Sequence, residues 1–262
     1  MSNKRGQITI FLIFGFVILT AFLFLFYLNN QVKDIREKVE TQMTLSDLTI
    51  PIKSYVDLCL RSTGEDALYL IGIQGGYFGM PSYKVDSKGV FYEAFHTVYL
   101  HNKKNVMPDI ATIENEISEY VNENLDFCIK DFEDFKSQGY EIESSEFSTV
   151  ASINRNNVAF SLDFPISLRK GGKSATMGKF FVEVPSRLDL IYNTAKNLTD
   201  DQLNHLDKIC VSCLIGFGDS NDLYFELLPG ETNLTLIMAE DNKTKLNNEP
   251  YIFIFAFNHS SN

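Results

Sequence analysis

The sequence predicts an α+β protein, in which an N-terminal transmembrane helix and a helical stalk precede helices packed on an antiparallel sheet. Three observations lead to this prediction. Residues 8–28 carry no charge. Apolar residues recur every three or four positions in several later segments, as they do on one face of a helix. Other segments alternate apolar and polar residues, which is typical of half-buried strands, so the class is α+β with helices on one face of the sheet.

The uncharged segment is 21 residues long and runs from Ile8 to Leu28. At about 1.5 Å per residue, such a helix spans roughly 30 Å, the thickness of the hydrocarbon core of a bilayer. A cleaved secretory signal has an apolar core of only about 7–15 residues, followed by a small-residue cleavage site. Residues 22–30 contain no such site. We therefore predict a single-pass anchor, with residues 1–7 as a short cytoplasmic flank.

The rest of the chain is strongly acidic. Removing the two positive charges of Lys4 and Arg5 from the total of −11 leaves −13 for everything that follows. Nucleic acids and anionic lipid head groups need a basic surface, so neither is an expected partner of this domain. Basic residues flank both ends of the anchor, and the positive-inside count does not decide its orientation. A short basic flank before a long domain is the usual layout of a signal anchor, which predicts a soluble domain outside the cell.

Residues 29–46 are polar with apolar positions every three or four residues, which predicts a helical stalk before a soluble domain at 47–262. Pro51 is expected to end or kink that helix and to begin a second one, with Thr49 near its cap. The glycine-rich residues 72–79 close the second helix. A third helical region is predicted at 113–135, ending at Gly139.

The later segments alternate strands and helices. A hairpin is predicted at 83–100, with its turn at 86–89. Residues 158–168 alternate as in a half-buried strand, which Pro165 makes an edge strand or a bulged one; residues 175–184 are its partner. A mostly helical region follows at 187–214, with a candidate break at 197–200. Short strands are predicted at 223–227, 233–238 and 251–257, and the last is apolar on both faces and therefore central.

Residues 4–11 read Lys-Arg-Gly-Gln-Ile-Thr-Ile-Phe. This resembles the class III signal of archaeal type IV pilin-like proteins, in which a basic pair and Gly-Gln precede the helix. The resemblance implies cleavage by a prepilin peptidase between Gly6 and Gln7. The family has Ser two residues after Gln and Glu four residues after it, where this chain has Thr9 and Phe11. Because that Glu neutralises the N-terminus of a neighbouring subunit during assembly, we expect this protein to stay in the membrane rather than polymerise.

The whole chain also resembles a group of archaeal single-pass membrane proteins. The shared landmarks are R-G-Q-I-T-I-F at the start, L-I-G-I-Q-G-G-Y at 70–77 and P-Y-I-F-I-F-A at 250–256. This group implies an architecture and no particular activity.

The segment Cys210-Val-Ser-Cys213 is the only compact motif with redox chemistry. A thioredoxin-like pair lies where a helix begins, since the helix N-terminus lowers the pKa of a thiol. Here the pair is expected near a helix C-terminus, where the dipole disfavours a thiolate, and this predicts a structural role. A zinc site is disfavoured as well, because the other cysteines are distant and His205, five residues before Cys210, fits the usual ligand spacings poorly.

Cys59 and Cys128 each fall on the apolar face of a predicted helix. They are either buried free thiols or, in an exterior domain, disulfide partners. Four cysteines allow three connectivities, and the preferred one pairs Cys59 with Cys128 and Cys210 with Cys213.

No other motif in the sequence points to catalysis. The segment Gly171-Gly172-Lys173-Ser174 resembles the end of a phosphate-binding loop, but Ser167 stands where that pattern needs Gly, and the segment joins two strands. The sequence therefore predicts no catalytic residue, no metal site and no cofactor.

Two functions remain open. The first is a non-enzymatic, pilin-like protein of the cell membrane with a structural or interaction role, whose partners are the lipid bilayer and other envelope proteins. The alternative is an anchored extracytoplasmic enzyme, a hydrolase or a thiol oxidoreductase, whose site is assembled from distant positions.

Overall fold

The computed structural model describes residues 45–86, 94–205, 209–228 and 233–259, together with four isolated positions (19, 20, 22 and 24). The predicted flank with Gly6 and Gln7, the rest of the predicted anchor and the stalk up to residue 44 lie outside the described residues. Within the described part of the chain, no helix is long and apolar enough to cross a membrane.

The first described element is α1 (Leu45–Gln74), a helix of 30 residues with Pro51 inside it. The prediction that a new helix begins at Pro51 was therefore wrong. A proline inside a helix costs about 3 kcal/mol, but the buried face continues on both sides of it with Leu48 and Ile52, which are fully buried. Thr49 is no cap, since its hydroxyl donates to the Leu45 carbonyl at 3.1 Å.

The first sheet is mixed, and this corrects the predicted single antiparallel sheet. Its strands are β1 (Lys84–Asp86), β2 (Phe95–His101), β3 (Lys104–Asn105), β8 (Tyr224–Leu228), β9 (Leu234–Leu246) and β10 (Glu249–Asn258). Their order is β1-β2-β10-β9-β8, with β3 paired to β2. Strand β10 is central, as predicted, and pairs antiparallel with β9 but parallel with β2.

The second sheet is antiparallel throughout. Strand β6 (Asn157–Lys170) pairs with β4 (Glu141–Ser144) and β5 (Ser148–Ile153) on one side and with β7 (Lys173–Pro185) on the other. Pro165 lies at a register shift between Asp163 and Ile166, so the predicted bulge is present. Gly171 and Gly172 have φ of 57° and 74°, as a tight hairpin turn requires.

The remaining helices differ from the prediction at two breaks. They are α2 (Ile110–Ile129), a 3-10 turn (Lys130–Phe132), α3 (Glu133–Ser137), α4 (Leu188–Gln202) and α5 (Val211–Asn221). The predicted region 113–135 is interrupted because Lys130, Asp131 and Phe132 take positive φ, which places the Phe132 ring 6.1 Å from that of Phe164. The predicted region 187–214 is two helices, broken after residue 202 rather than at 197–200.

Two glycines allow α1 to pack closely on both sheets. A Cβ on Gly72 would lie 2.3 Å from the Ile252 carbonyl oxygen in β10, and one on Gly64 would lie 2.8 Å from the Phe160 ring in β6. Only a residue without a side chain permits such an approach. The contact at Gly72 also brings together the two landmark segments at 70–77 and 250–256.

Helix α2 covers the outer edge of strand β5. Side chains four residues apart lie on one face of a helix. Three such side chains of α2 accept hydrogen bonds from alternate N–H groups of β5, so this edge of the sheet is closed to pairing with a further strand. Glu114, Ser118 and Asn122 accept from the N–H groups of Ile153, Ala151 and Thr149 at 2.7, 2.9 and 2.8 Å.

Candidate redox site at the start of helix α5

The Cys210–Cys213 pair lies at the N-terminus of α5, and the expected position near a helix C-terminus was wrong. Cys210 is the N-cap residue, and Cys213 is in the first turn. The Cys210 carbonyl accepts the N–H groups of Cys213 and Leu214, at 3.1 and 3.2 Å, and thereby starts the helix. The N–H groups of a first helical turn carry partial positive charge. The motif therefore occupies the position in which a thiolate is stabilised.

The two cysteines form a disulfide, with their Cα atoms 5.2 Å apart. Both residues are half-buried, so the pair is not sealed in the core. The Ser212 hydroxyl lies 3.6 Å from Cys210 Sγ. The imidazole of His205 also lies beside this pair.

The side chain of Gln202 connects His205 to the start of α5. Gln202 is the last residue of α4 and is only 2% exposed. Its Oε1 accepts the Cys210 N–H at 3.1 Å, and its Nε2 donates to the His205 carbonyl. Each of three residues offers one possible metal-ligand atom here: a ring nitrogen of His205 and the sulfur atoms of Cys210 and Cys213. These three atoms all lie within 4.8 Å of one another.

Arg187 fixes the opposite end of α5. Its guanidinium pairs with the fully buried carboxylate of Asp241 in β9, with Nε 3.0 Å from Oδ2 and Nη2 donating to Oδ1. The same guanidinium donates to the carbonyls of Asn221 and Asp222 at 3.2 and 2.9 Å. A positive charge at a helix C-terminus is favourable. Helix α5 is thus held at both ends, although only Leu214 and Gly218 of its residues are buried.

The ion pair keeps both partners charged. Burial raises the pKa of Asp241, but hydrogen bonds from Arg187, Thr244 and the Lys243 N–H outweigh this effect and hold the pKa below its usual range. The hydrogen bond with Asp241 is the main reason that the pKa of Arg187 is raised. The Arg187–Asp241 ion pair, which is the clamp that holds the C-terminal end of α5, is therefore intact at neutral pH.

The second disulfide has a different environment. It joins Cys59 of α1 to Cys128 of α2, and Cys59 is fully buried. The hydroxyl of Tyr55 donates to the Cys128 carbonyl at 2.7 Å beside it. This disulfide ties two core helices together, and the pairing preferred from the sequence is the one present in the structure.

In two places on the described surface, exposed apolar side chains lie next to one another. On α5, Val211 and Ile215 are 49% and 60% exposed, and they lie on the outer side of the helix. On the second sheet, Val150, Ser161 and Phe181 form one row across β5, β6 and β7. Val150 and Phe181 of that row are 61% and 56% exposed.

Other groups with chemical potential have structural or solvated environments. His96 is fully buried, and its Nδ1 donates to the Ile73 carbonyl at 2.8 Å. A groove on the second sheet is lined by Glu141 and Arg169, which form an exposed ion pair at 3.1 Å. Exposed pairs of this kind contribute little energy and are ordinary surface features.

The chain matches no protein-family model, no curated protein and no solved structure. Its function is therefore argued from residues and geometry.

Sequence reasoning found the two cysteines of this site, considered His205 and set it aside as a zinc ligand because of its spacing, and missed Gln202. The helix break that brings them together has no Pro or Gly, because residues 203–209 contain neither. Arg187 and Asp241 are 54 residues apart, and no local pattern marks such a pair.

Proposed function

We propose that this chain is a membrane-anchored protein of the cell envelope, with its soluble domain outside and a structural or interaction role. The resemblance of residues 4–11 to a class III signal makes it pilin-like, with Gly6 and Gln7 as the processing site. The observation that carries the proposal is the position of α1, which follows the uncharged segment along the chain and supplies a buried face to the core. In this proposal the anchor at 8–28 retains the domain at the membrane.

Two further features support this proposal. Disulfides persist in oxidising compartments such as the exterior of the cell, and the structure contains two of them. Clustered exposed apolar side chains are typical of protein interaction sites, and both the row with Val150 and Phe181 and the outer side of α5 offer them.

Membrane fractionation tests the anchor. We expect the full chain to sediment with membranes and to resist extraction by high salt and by carbonate, because the segment at 8–28 buries 21 uncharged residues. The same chain without residues 1–30 serves as the control and is expected in the soluble fraction. Full chain that remains in the soluble fraction would contradict the proposal.

A membrane-impermeant thiol reagent applied to whole cells tests the orientation. Ser174 is exposed beside the turn between β6 and β7, so a Ser174→Cys variant is expected to be labelled before lysis. Ser186→Cys makes the same substitution at a residue that is 2% exposed and controls for background labelling that does not need an exposed thiol. Labelling of Ser174→Cys only after lysis would place the domain in the cytoplasm.

A second candidate function is thiol–disulfide exchange by Cys210 and Cys213. The observation that favours it is their position at the N-terminus of α5, with both residues half-buried. In the reduced protein, the Cys210 thiolate attacks a substrate disulfide and forms a mixed disulfide while one substrate thiolate leaves. The Cys213 thiolate then attacks Cys210 Sγ, releases the second substrate thiolate and restores the pair, so that two electrons pass to the substrate.

Trapping of the mixed disulfide tests this exchange. A Cys213→Ser variant lacks the resolving thiol, so we expect it to accumulate a covalent adduct with a disulfide-bonded peptide. The Cys210→Ser variant is the matched control and is expected to accumulate far less. Equal trapping by the two variants, or none by either, would reject thiol exchange by Cys210 and Cys213.

A further inference from the structure

His205, Cys210 and Cys213 form a cluster of three potential metal ligands. Their ligand atoms all lie within 4.8 Å of one another, although His205 is separated from Cys210 by the connection between α4 and α5. Thiolate and imidazole are the ligands that Zn²⁺ prefers in proteins. In a tetrahedral zinc site with Zn–S of about 2.3 Å and Zn–N of about 2.0 Å, ligand atoms are roughly 3.5–3.8 Å apart. The two sulfur atoms are bonded in the disulfide, so reduction has to let them move apart to this separation, while the ligand atom of His205 is already within 4.8 Å of both.

The cluster is held by a buried polar side chain. Gln202 is 2% exposed and bonds to the Cys210 N–H through Oε1 and to the His205 carbonyl through Nε2. One amide therefore fixes the backbone of the histidine relative to the first cysteine. Groups that orient metal ligands in this way strengthen binding, typically by about 10- to 100-fold.

We propose that the reduced form of this site binds one Zn²⁺ through His205, Cys210 and Cys213. Three protein ligands leave the fourth tetrahedral position to water or to a ligand from outside the chain. The two thiolates balance the charge of the ion, and the first turn of α5 stabilises those thiolates. Because His205 is exposed, its ring can turn toward the metal without disturbing the core.

Metal binding and disulfide formation exclude each other at this site. The sulfur atoms that coordinate Zn²⁺ are the same atoms that form the Cys210–Cys213 bond. When an oxidant such as a partner disulfide takes two electrons from the thiolates, the S–S bond forms, the oxidant leaves as two thiolates, and Zn²⁺ is released. The cysteine pair thereby makes metal binding dependent on the redox state of its surroundings. This site requires only reduction and does not depend on the exchange activity proposed above.

Cobalt titration of the full chain in detergent tests the site. Mild anaerobic reduction is expected to expose two thiols, since Cys59 of the other disulfide is fully buried. One equivalent of Co²⁺ should then give a thiolate-to-cobalt charge-transfer band together with tetrahedral ligand-field bands, and Zn²⁺ should displace it. The oxidised chain should give neither signal. If reduction opens both disulfides, far-UV circular dichroism checks that the chain is still folded. The comparison of variants below then shows whether cobalt binds at His205, Cys210 and Cys213.

The variants separate the roles of the three ligands. We expect His205→Ala to weaken binding of Co²⁺ and Zn²⁺ at least about tenfold, with the charge-transfer band retained. Cys210→Ser and Cys213→Ser should each weaken that band, and His101→Ala, a histidine of β2 outside the cluster, should change nothing. Gln202→Leu should lower the affinity without changing the spectrum, as a positioning residue does.

Four results would overturn the metal site: no metal binding by the reduced chain, wild-type affinity in His205→Ala, cobalt binding without a charge-transfer band, or equal binding by the oxidised chain. Each can occur with or without trapping of mixed disulfides. Zinc binding without trapping would keep the metal site and reject thiol exchange, and trapping without zinc binding would do the reverse.

Discussion

The two disulfides should differ several-fold in their contribution to the stability of the domain. The Cys59–Cys128 bond closes a loop with a sequence separation of 69, and the chain-entropy relation gives about 4.4 kcal/mol for such a loop at 25 °C. The Cys210–Cys213 bond has a separation of 3, for which the same relation gives about 1.6 kcal/mol. A bond that serves exchange or metal binding is expected to be the one that the fold needs least.

The assay compares two double variants, Cys59→Ala/Cys128→Ala and Cys210→Ala/Cys213→Ala, with the wild-type chain in thermal unfolding. The unfolding entropy is about 2.1 cal/mol/K per residue, which is about 0.46 kcal/mol/K for the roughly 220 residues from Leu45 onward. The expected falls in Tm are therefore about 10 °C for the first variant and about 3–4 °C for the second. The chain has no Trp but has 12 Tyr, so far-UV circular dichroism or tyrosine fluorescence is the appropriate signal.

The comparison between the variants is more informative than either value. Equal losses, or a larger loss in Cys210→Ala/Cys213→Ala, would show that the pair at α5 holds the fold together. That result would refute the argument that its position at the helix N-terminus serves chemistry.

Two further predictions concern the packing of α1 and the clamp on α5. Gly72→Ala should destabilise the domain by about 1–3 kcal/mol, because the new Cβ would lie 2.3 Å from the Ile252 carbonyl oxygen; Gly216→Ala, whose Cβ would meet nothing within 4 Å, is the control and should be neutral or stabilising by up to about 1 kcal/mol. Equal denaturant midpoints for the two variants would contradict the close packing. Asp241→Asn should cost about 3–5 kcal/mol at pH 7, since it leaves the Arg187 charge without its partner. The pKa of Asp241 is lowered in the fold. The stability that its carboxylate contributes is therefore complete above the unfolded pKa of about 3.9 and is lost as the pH falls below that value. A Tm difference between Asp241→Asn and wild type that does not shrink at pH 3 would contradict this assignment.

Much of the fold could be predicted because its signals are local. The alternation at 158–168 is a property of neighbouring residues, and it predicted β6, its partner β7 and the turn at Gly171 and Gly172. Pro165 predicted an edge strand or a bulged one because proline cannot donate to a strand ladder, and the structure has the bulge. The apolar residues at 251–257 predicted a central strand since both faces of such a strand are buried.

The breaks between helices could not be predicted because they depend on contacts that form only in the folded chain. Pro51 is tolerated inside α1 since the buried face of that helix packs on both sheets. The end of α4 at Gln202 is fixed by hydrogen bonds to His205 and Cys210, which exist only once the chain has folded back. The sequence placed the cysteine pair at the end of a helix, whereas these bonds place it at the beginning of one.

The sequence by itself therefore determined an uncharged segment long enough to span a bilayer, an α+β class, most strands, and the identity of the four cysteines, because each follows from composition or short-range periodicity. The tertiary structure alone decided the parallel pairing of β2 with β10, the approach of α1 through Gly72, and the clamp of Arg187 on Asp241, because each joins residues far apart in the chain. It also decided the chemical character of Cys210 and Cys213. A thiol at the positive end of a helix dipole ionises more readily than one at the negative end, and only the folded chain specifies which end it occupies.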